Sequence, residues 1–439
     1  MLFSIYSNAI AQTDPKPFRK TQWFEEARFG MFVHWGLYSI LGGTYKERTM
    51  PDTTLAHGKS WYAEWIQQRL EIPEDEYKAL AKEFNPANFN ADEWIKLAKE
   101  AGMKYFVITA KHHDGFALWD SQVSDFDIGS TPLKGRDILG ELVAACKKYG
   151  LKYGFYYSHW QDWEHPQGAL PYWKPARNTV DFEQYWKQKS LPQIKELIER
   201  YDPDLLWFDT WDSEAKTLIT PERRDELITM IRKLSAKCLI NGRIAMHDPG
   251  NDIDFLEMMD NSYPKTMQNK PWQTPATMNH TWAYHEKDYN WKSSGQMLRY
   301  LVSNASKGGN YLLNIGPKGD GSLPIPGIRR LKEMGAWLLS NGESIYATKQ
   351  SEDLMASKDI LFTQRRLNKN QVAIYAHVVG NLPNNTLTIQ IDHPILSCQL
   401  LETKEVLKYS ISGGNLTINL PTRATFDNSI LVVKIETEQ

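Results

Sequence analysis

Six apolar runs in this 439-residue chain end in side chains able to do chemistry. Phe32-Val33 runs into His34, and Val107-Ile108-Thr109-Ala110 leads to Lys111-His112-His113-Asp114. Gly154-Phe155 leads to Tyr156-Tyr157-Ser158-His159, and Leu205-Leu206-Trp207-Phe208 ends in Asp209. Leu239-Ile240 ends in Asn241-Gly242-Arg243, and Phe255-Leu256 ends in Glu257. Six such endings in register are hard to explain as decoration. Their chemistry is of one kind: carboxylates, imidazoles, a guanidinium, and Trp and Tyr rings. Charged and imidazole groups bind vicinal hydroxyls, while aromatic faces take the apolar face of a sugar ring. Two carboxylates on opposed strands support glycoside chemistry, one attacking the anomeric carbon and one shuttling the proton, at about 5–5.5 Å separation for retention.

Each residue also has a plainer reading. Asp209 has the residue type of a helix cap, although the end of an apolar WFD string is a costly place for one. His112 and His113 are of zinc-ligand type, but neighbours on a strand point to opposite faces, which argues against a shared ion. Either is otherwise a hydrogen-bonded core histidine. Arg243 reads alternatively as a surface ion-pair partner, and Glu257 as an ordinary strand-end acid, since Asp260 and Glu286 lie near it in sequence. Trp65, Trp207 and Trp282 are of a type that usually fills cores.

Residues delivered this way need a scaffold of strands whose ends converge. From about Trp23 to Tyr346 short apolar runs alternate with helical stretches. Strands are expected at Gly30–Tyr38, Tyr105–Ala110, Tyr153–Ser158, Leu205–Asp209, Leu239–Asn241, Phe255–Met259, near Thr281–Tyr284 and at Asn310–Ile315. Between them Ala91–Ala101 closes at Gly102, Arg136–Tyr149 closes at Gly150, Phe182–Tyr201 is a long amphipathic run, Pro221 opens a helix, and Ser294–Ser306 ends at Gly308-Gly309. Eight such units predict a (β/α)8 barrel of the TIM type, with working residues at the C-terminal strand ends. The rival doubly wound sheet lacks its signature, because no GxGxxG or GxxxxGK[ST] occurs.

Composition supports two units. All 16 tryptophans lie at or before Trp337. From about Lys349 the runs become short and alternating: Gln371–Val379, Thr386–Ile391, Ser397–Glu402, Leu416–Leu420 and Ile430–Ile435, separated by turn residues. The chain thus divides into an N-terminal segment 1–22, a barrel 23–346 and a C-terminal antiparallel β-sandwich 347–439, whose lack of tryptophan points to a structural role. With 51 basic and 53 acidic residues the net charge is −2, which leaves no general field for nucleic acid. No apolar run is long enough to span a bilayer. Cys146, Cys238 and Cys398 are odd in number and far apart, forming neither a disulfide framework nor a zinc motif. Ala9-Ile10-Ala11 before Gln12 reads as the remnant of a secretory cleavage site, which gives a periplasmic or secreted expectation against a frayed terminus.

At these residues the sequence resembles the α-L-fucosidases of glycoside hydrolase family 29. The strings that carry the resemblance are WFEEARFGMFVHWGLYS, SWYAEW, FNPANFNADEWIKLAKEAGMKYFVITAKHHDGFALWDS, YYS with a following DW, DLLWFD, NGR and NASKGGNYLLNIGPKGDG, in family order from about 23 to 346. The resemblance implies a barrel followed by a β-sandwich, no metal or organic cofactor, and a fucosylated glycan as substrate. It makes Asp209 the nucleophile of a retaining exo-acting hydrolase. It places His34, Glu64, Trp65, His112, His113, Tyr157, Trp207 and Arg243 around the fucose ring, with Tyr156 in reserve for Tyr157 and Trp282 near the sugar methyl group. The acid/base is where the match thins. Glu257, five residues after Asp252, has the family spacing but different intervening residues, and Trp272-Gln273 replaces a Trp-Glu pair of relatives. Asp260 and Glu286 stay open. Arg243 and the histidines are expected to hold the pKa of Asp209 low. Two rivals remain at this point: an α-L-galactosidase of the same fold, and a catalytically silent fucose-binding protein.

Overall fold

Every apolar run with a polar tip becomes a parallel strand. A computed structural model describes residues 19–56, 58–169, 181–351, 354, 356–421 and 430–438. The signal-like residues 1–12, with the rest of 1–18, lie outside the described residues. The barrel strands are β1 (Phe29–Val33), β2 (Tyr105–Lys111), β3 (Lys152–Tyr157), β4 (Leu205–Trp207), β5 (Leu239–Ile240), β6 (Leu256–Glu257), β7 (Trp272–Thr277) and β8 (Asn310–Ile315). They lie in the order β5-β4-β3-β2-β1-β8-β7-β6, all pairs parallel. Closure between β5 and β6 rests on a bridge between Asn241 and Phe255, with Gly242 N–H donating to Phe255 O at 2.8 Å.

Inside the barrel Phe32, Val107, Tyr156, Leu205, Trp207, Leu239, Phe255 and Leu312 form a filled core, plugged at its N-terminal end by Phe24 of the helix Gln22–Ala27. Gly30 is required there: a Cβ at this position would run into the Tyr105 ring. Outward residues pack against helices whose ends match their caps. Asn90 accepts from Asp92 and Glu93 N–H to start Ala91–Glu100, Asp137 caps Ile138–Tyr149, and Gly150 ends it at φ 70°. The long amphipathic run 182–201 contains a π-helical turn at Trp186–Ser190, two residues ahead of Pro192. Proline lacks the N–H and crowds the carbonyl four residues back, and the wider turn accommodates both.

One strand falls elsewhere than expected. The seventh is Trp272–Thr277, not Thr281–Tyr284. Its Gln273, Thr274 and Pro275 hide the apolar pattern, and they have structural tasks: Gln273 faces the barrel interior as a partner of Tyr105, and the Pro275 carbonyl accepts from Asn261 N–H. Residues 281–284 form the loop beyond it.

The C-terminal unit is a five-stranded antiparallel sheet and a three-stranded one. The first has the order β9 (Lys349–Gln350), β10 (Ile360–Arg366), β11 (Gln371–Val378), β16 (Leu431–Glu438) and β13 (Ile395–Leu400). The second is β12 (Thr386–Gln390), β15 (Asn415–Asn419) and β14 (Tyr409–Ser412). Strands β9, β10 and β14 have no counterpart among the expected runs. Leu387, Ile389, Leu416, Ile418, Ile374 and Val433 fill the space between the sheets. The sandwich docks under the last barrel helix, Ile325–Asn341, through Trp337 Nε1–H to Ile430 O at 2.9 Å and Lys434 to Glu343 at 2.7 Å.

Behind β2 lies a buried charge cluster. Lys111 Nζ meets Asp162 Oδ2 at 2.8 Å, with both side chains fully buried, and Lys189 reaches the same oxygen at 3.0 Å. Burial alone would raise the Asp162 carboxyl, but the two ammonium groups hold it well below the usual range. Asp162→Ala strands the fully buried Lys111 ammonium, while Lys189 keeps Glu164 at 2.9 Å, and urea denaturation should show a loss of about 3–5 kcal/mol. A loss under about 1 kcal/mol would contradict this account of the cluster.

Candidate active site

The C-terminal ends of the strands surround a cavity of about 290 Å³. Asp209 lies two residues past β4 and is 8% exposed. Its backbone is held before its side chain is: Asn241 accepts from Phe208 N–H at 2.8 Å and donates to Phe208 O at 2.9 Å, which replaces a ladder step, and Trp160 Nε1–H donates to Asp209 O at 2.8 Å. The carboxylate then takes Arg243 Nη1–H at 3.0 Å on Oδ1 and the Tyr156 hydroxyl at 2.9 Å on Oδ2.

Arg243 holds a second acid. Its Nη2 donates to Asp260 Oδ1 and to Met258 O, each at 2.7 Å, while the guanidinium sits 5.2 Å from the Trp207 ring. One planar fork therefore carries two carboxylates that both line the cavity.

The histidines are neutral donors and acceptors rather than charges. His34 Nδ1 lies 2.7 Å from Asn314 Oδ1, whose amide nitrogen donates to Trp282 O at 2.6 Å. That oxygen can only accept, so His34 carries its proton on Nδ1 and offers Nε2 as an acceptor. The Ser158 hydroxyl donates to Gln161 O at 2.9 Å and so accepts from His113 Nδ1 at 2.7 Å. His113 Nε2 then faces Asp209 Oδ2 at 3.8 Å. Burial pushes His34 down to about 3 and moves His112 and His113 the same way. His112 and His113 sit side by side, ring centroids 4.1 Å apart, both on the cavity. Strand alternation does not separate them, because β2 ends at Lys111 and they belong to the loop beyond.

Aromatic plates make the walls. Trp207 stacks on Tyr156 at 5.2 Å, and Tyr156 on His112 at 5.3 Å. Trp65 meets His113 edge-on at 4.9 Å, and Trp282 lies 5.0 Å from His34. Glu64, in the short turn Ala63–Trp65, accepts from Ala283 N–H at 3.1 Å on Oε2, while Oε1 is buried without a protein partner. Burial raises its carboxyl to about 7.

His34, Glu64, Trp65, His112, His113, Trp207, Asp209, Arg243 and Trp282 are thus brought together on one cavity. Tyr157 is not. On β3 it faces outward, and its hydroxyl donates to Gln193 Oε1 at 2.7 Å, so Tyr156 takes the place expected of it. Glu257 is not on the cavity either. It lies lower in the barrel, where Oε1 accepts from Gln273 and Oε2 has no partner, and burial raises its carboxyl well above the usual range. Glu286 is exposed, its N–H donating to Gly42 O. Asp260 is the acid that faces the cavity beside Asp209. The expected low pKa of Asp209 also fails. Burial raises it and outweighs Arg243, while the neutral histidines bring no positive charge. Sequence reasoning missed Asn314 and Ser158 as partners of the histidines, and Phe32, Tyr62, Arg69, Trp211 and Met259 in the lining. A signal for Asn314 existed: an amide one residue before the end of the apolar strand β8, which Asn310 opens.

A (β/α)8 barrel with a carboxylate pair on one arginine, Asp209 buried and Asp260 half-exposed, set among aromatic plates, defines a glycoside hydrolase. The α-L-fucosidase family pattern matches residues 5–343. Bovine tissue α-L-fucosidase is 29% identical over 425 residues, covering 91% of this chain and 84% of its own length. The crystal structure of α-L-fucosidase from Vibrio sp. strain EJY3 superposes with a TM-score of 0.87 at 32% identity, covering 96% of this chain and 73% of that one. An α-L-fucosidase of family GH29 from Bacteroides thetaiotaomicron, trapped as a covalent intermediate with 2-fluoro-fucosyl fluoride, superposes at 0.81 with 26% identity over 98% of this chain and 97% of that one. The chain belongs to the α-L-fucosidase family, glycoside hydrolase family 29.

Glu64 makes the cavity pH-sensitive. Its proton is held in the folded state up to about pH 7 and lost near 4.5 in the unfolded chain. Stability from this group is full below pH 4.5 and disappears as pH rises to 7, up to roughly 3 kcal/mol. Glu64→Gln should flatten that part of the slope when urea midpoints are compared from pH 4.5 to 8. An unchanged difference across the range would show that folding leaves the Glu64 pKa unshifted.

Proposed function

We propose a division of labour for the retaining hydrolysis of terminal α-L-fucosides in this cavity, carried by one observation: Arg243 holds Asp209 and Asp260 together at its rim of charge. Asp209 attacks the anomeric carbon and forms the glycosyl-enzyme. Asp260 protonates the departing glycosidic oxygen, then takes the proton of the incoming water. The neutral Nε2 atoms of His34 and His113, with Glu64, receive sugar hydroxyls, and Trp65, Trp207 and Trp282 pack its apolar faces. Trp211 and Met259, at the more open side of the lining, border the leaving group. The substrate class is a fucosylated glycan. An extracytoplasmic site of action, periplasmic or secreted, is part of the proposal and rests on the signal-like start of the sequence.

Because burial raises Asp209, kcat/KM should fall on the acid side at a higher pH than an ordinary aspartate, near 3.9, would give. Asp209→Ala should abolish turnover of 4-nitrophenyl α-L-fucoside, with partial recovery in azide. Retention of most of the rate would remove it as nucleophile. Asp260→Ala should lose about 10²–10⁴-fold on glycan substrates but little kcat/KM on aryl fucosides. Glu257→Gln should remain within about tenfold on both, since Glu257 lies outside the cavity lining and is engaged by Gln273. If Glu257→Gln shows the leaving-group pattern and Asp260→Ala does not, the assignment is reversed.

A further inference from the structure

Asp260 stands on a segment that the barrel ladder does not secure, because β6 has only two residues, Leu256 and Glu257. The residues beyond Glu257 are fastened to β7 instead. Met258 N–H donates to Gln273 O at 3.0 Å, Asn261 N–H to Pro275 O at 3.0 Å, and Thr274 Oγ1–H to Ser262 O at 2.8 Å. Asn261 is the hinge of this path. Its backbone is left-handed, φ 53°, a conformation asparagine tolerates better than other side chains. Its Oδ1 accepts from Thr277 N–H at 3.1 Å, while the Thr277 hydroxyl donates to Asn279 O at 2.6 Å.

Lys292 completes the fastening from the far side. It precedes the helix Ser294–Ala305, and its Nζ donates to Thr277 O at 2.6 Å, to Asn279 O at 3.4 Å and to Asn261 Oδ1 at 3.4 Å. Its own carbonyl accepts from Arg330 Nε–H at 2.6 Å, which ties it to the last barrel helix. Burial draws the ammonium down to about 8, with Asp288 opposing. A half-buried lysine spending its donors on two carbonyls and an amide at the end of β7 has no part in the cavity lining. It stands where it can fix the residue next to the acid.

We propose that Asn261 and Lys292 form a latch that positions Asp260 for proton delivery to the leaving group. They are positioning residues, acting through Asp260 without touching the sugar, and the inference rests on Asp260 being the acid/base. Arg243 restrains the carboxylate on one side and the latch restrains its backbone on the other.

The test compares kcat/KM on methyl α-L-fucoside, which needs a proton on its leaving oxygen, with 4-nitrophenyl α-L-fucoside, which needs little help. Lys292→Met and Asn261→Gly are measured, the latter keeping the left-handed turn accessible while removing the side-chain amide. Both should lose roughly 10–100-fold on the methyl glycoside and less than about threefold on the aryl one. Equal losses on both substrates, or no loss on either, would overturn the latch, since a general structural role moves the two together. Asp260→Ala is run beside them. No leaving-group split in Asp260→Ala overturns the reading on which the latch rests, whereas a split there with none in the other two overturns the latch alone.

Discussion

The guanidinium of Arg243 is the interaction on which the cavity depends. Asp209, buried at the mouth of a barrel filled with aromatic rings, faces a large desolvation cost, and the half-exposed Asp260 stands beside it. A single lysine would meet them as a point charge, whereas a planar fork serves two acids from two nitrogens and still donates to a carbonyl. The barrel is built to hold that fork in place. Strands β5 and β6 contribute only two residues each, and the chain between them passes across the mouth in a short helical turn, Gly242–Ile244, that brings Arg243 inward. Thr210 N–H to Arg243 O at 2.8 Å then registers the arginine against Asp209 directly. Closure of the barrel and assembly of the carboxylate pair are thus one event at the β5–β6 seam.

The cluster of histidines looks from composition like a reservoir of positive charge, and the structure makes it the opposite. Buried beside one another and beside Lys111, these rings lose their charge first to desolvation and then to mutual repulsion. What remains is directional hydrogen bonding. Asn314 and Ser158 each engage an Nδ1 atom, which leaves the Nε2 lone pairs for ligand hydroxyls. A neutral imidazole wall keeps the cation count low next to Asp209, so a hydroxyl-rich neutral sugar is favoured over an anion.

Legibility of this molecule in its sequence runs along physical lines. Barrel strands with apolar runs and polar tips are readable because both features are local. Strand β7 is not, since Gln273 and Pro275 satisfy partners on β2 and beyond β6 that no local window contains. Tyr156 and Tyr157 illustrate a sharper limit. The period of two says that one faces inward and the other outward, but a doublet does not say which, and only packing against Gln193 decides it. Glu257 misleads for a related reason. It is the polar tip of β6, as the pattern requires, yet a two-residue strand leaves its tip below the rim. The acid that reaches the cavity stands three residues on, in a turn whose geometry comes from Asn261 and β7.

That displacement matters for the chemistry. A retaining cycle needs an acid that is protonated in the first step and ionised in the second, opposite a nucleophile that is ionised first and esterified afterwards. With Asp209 and Asp260 in these roles both acids share one cation, so the cycle moves a single negative charge from one arm of the fork to the other. Before attack the charge rests on Asp209, whose ionisation is supported by Arg243 and Tyr156 against the effect of burial. Once Asp209 becomes an ester, that support passes to Asp260, which has given up its proton to the leaving group and now serves as base. The net charge around Arg243 is the same at both stages, and nothing in the neutral histidine wall has to respond. An acid at Glu257 would break this symmetry, because its carboxyl accepts from Gln273 and has no hydrogen bond to the fork. The pairing on Arg243, rather than the position of either carboxylate alone, is what fits the site to a two-step mechanism.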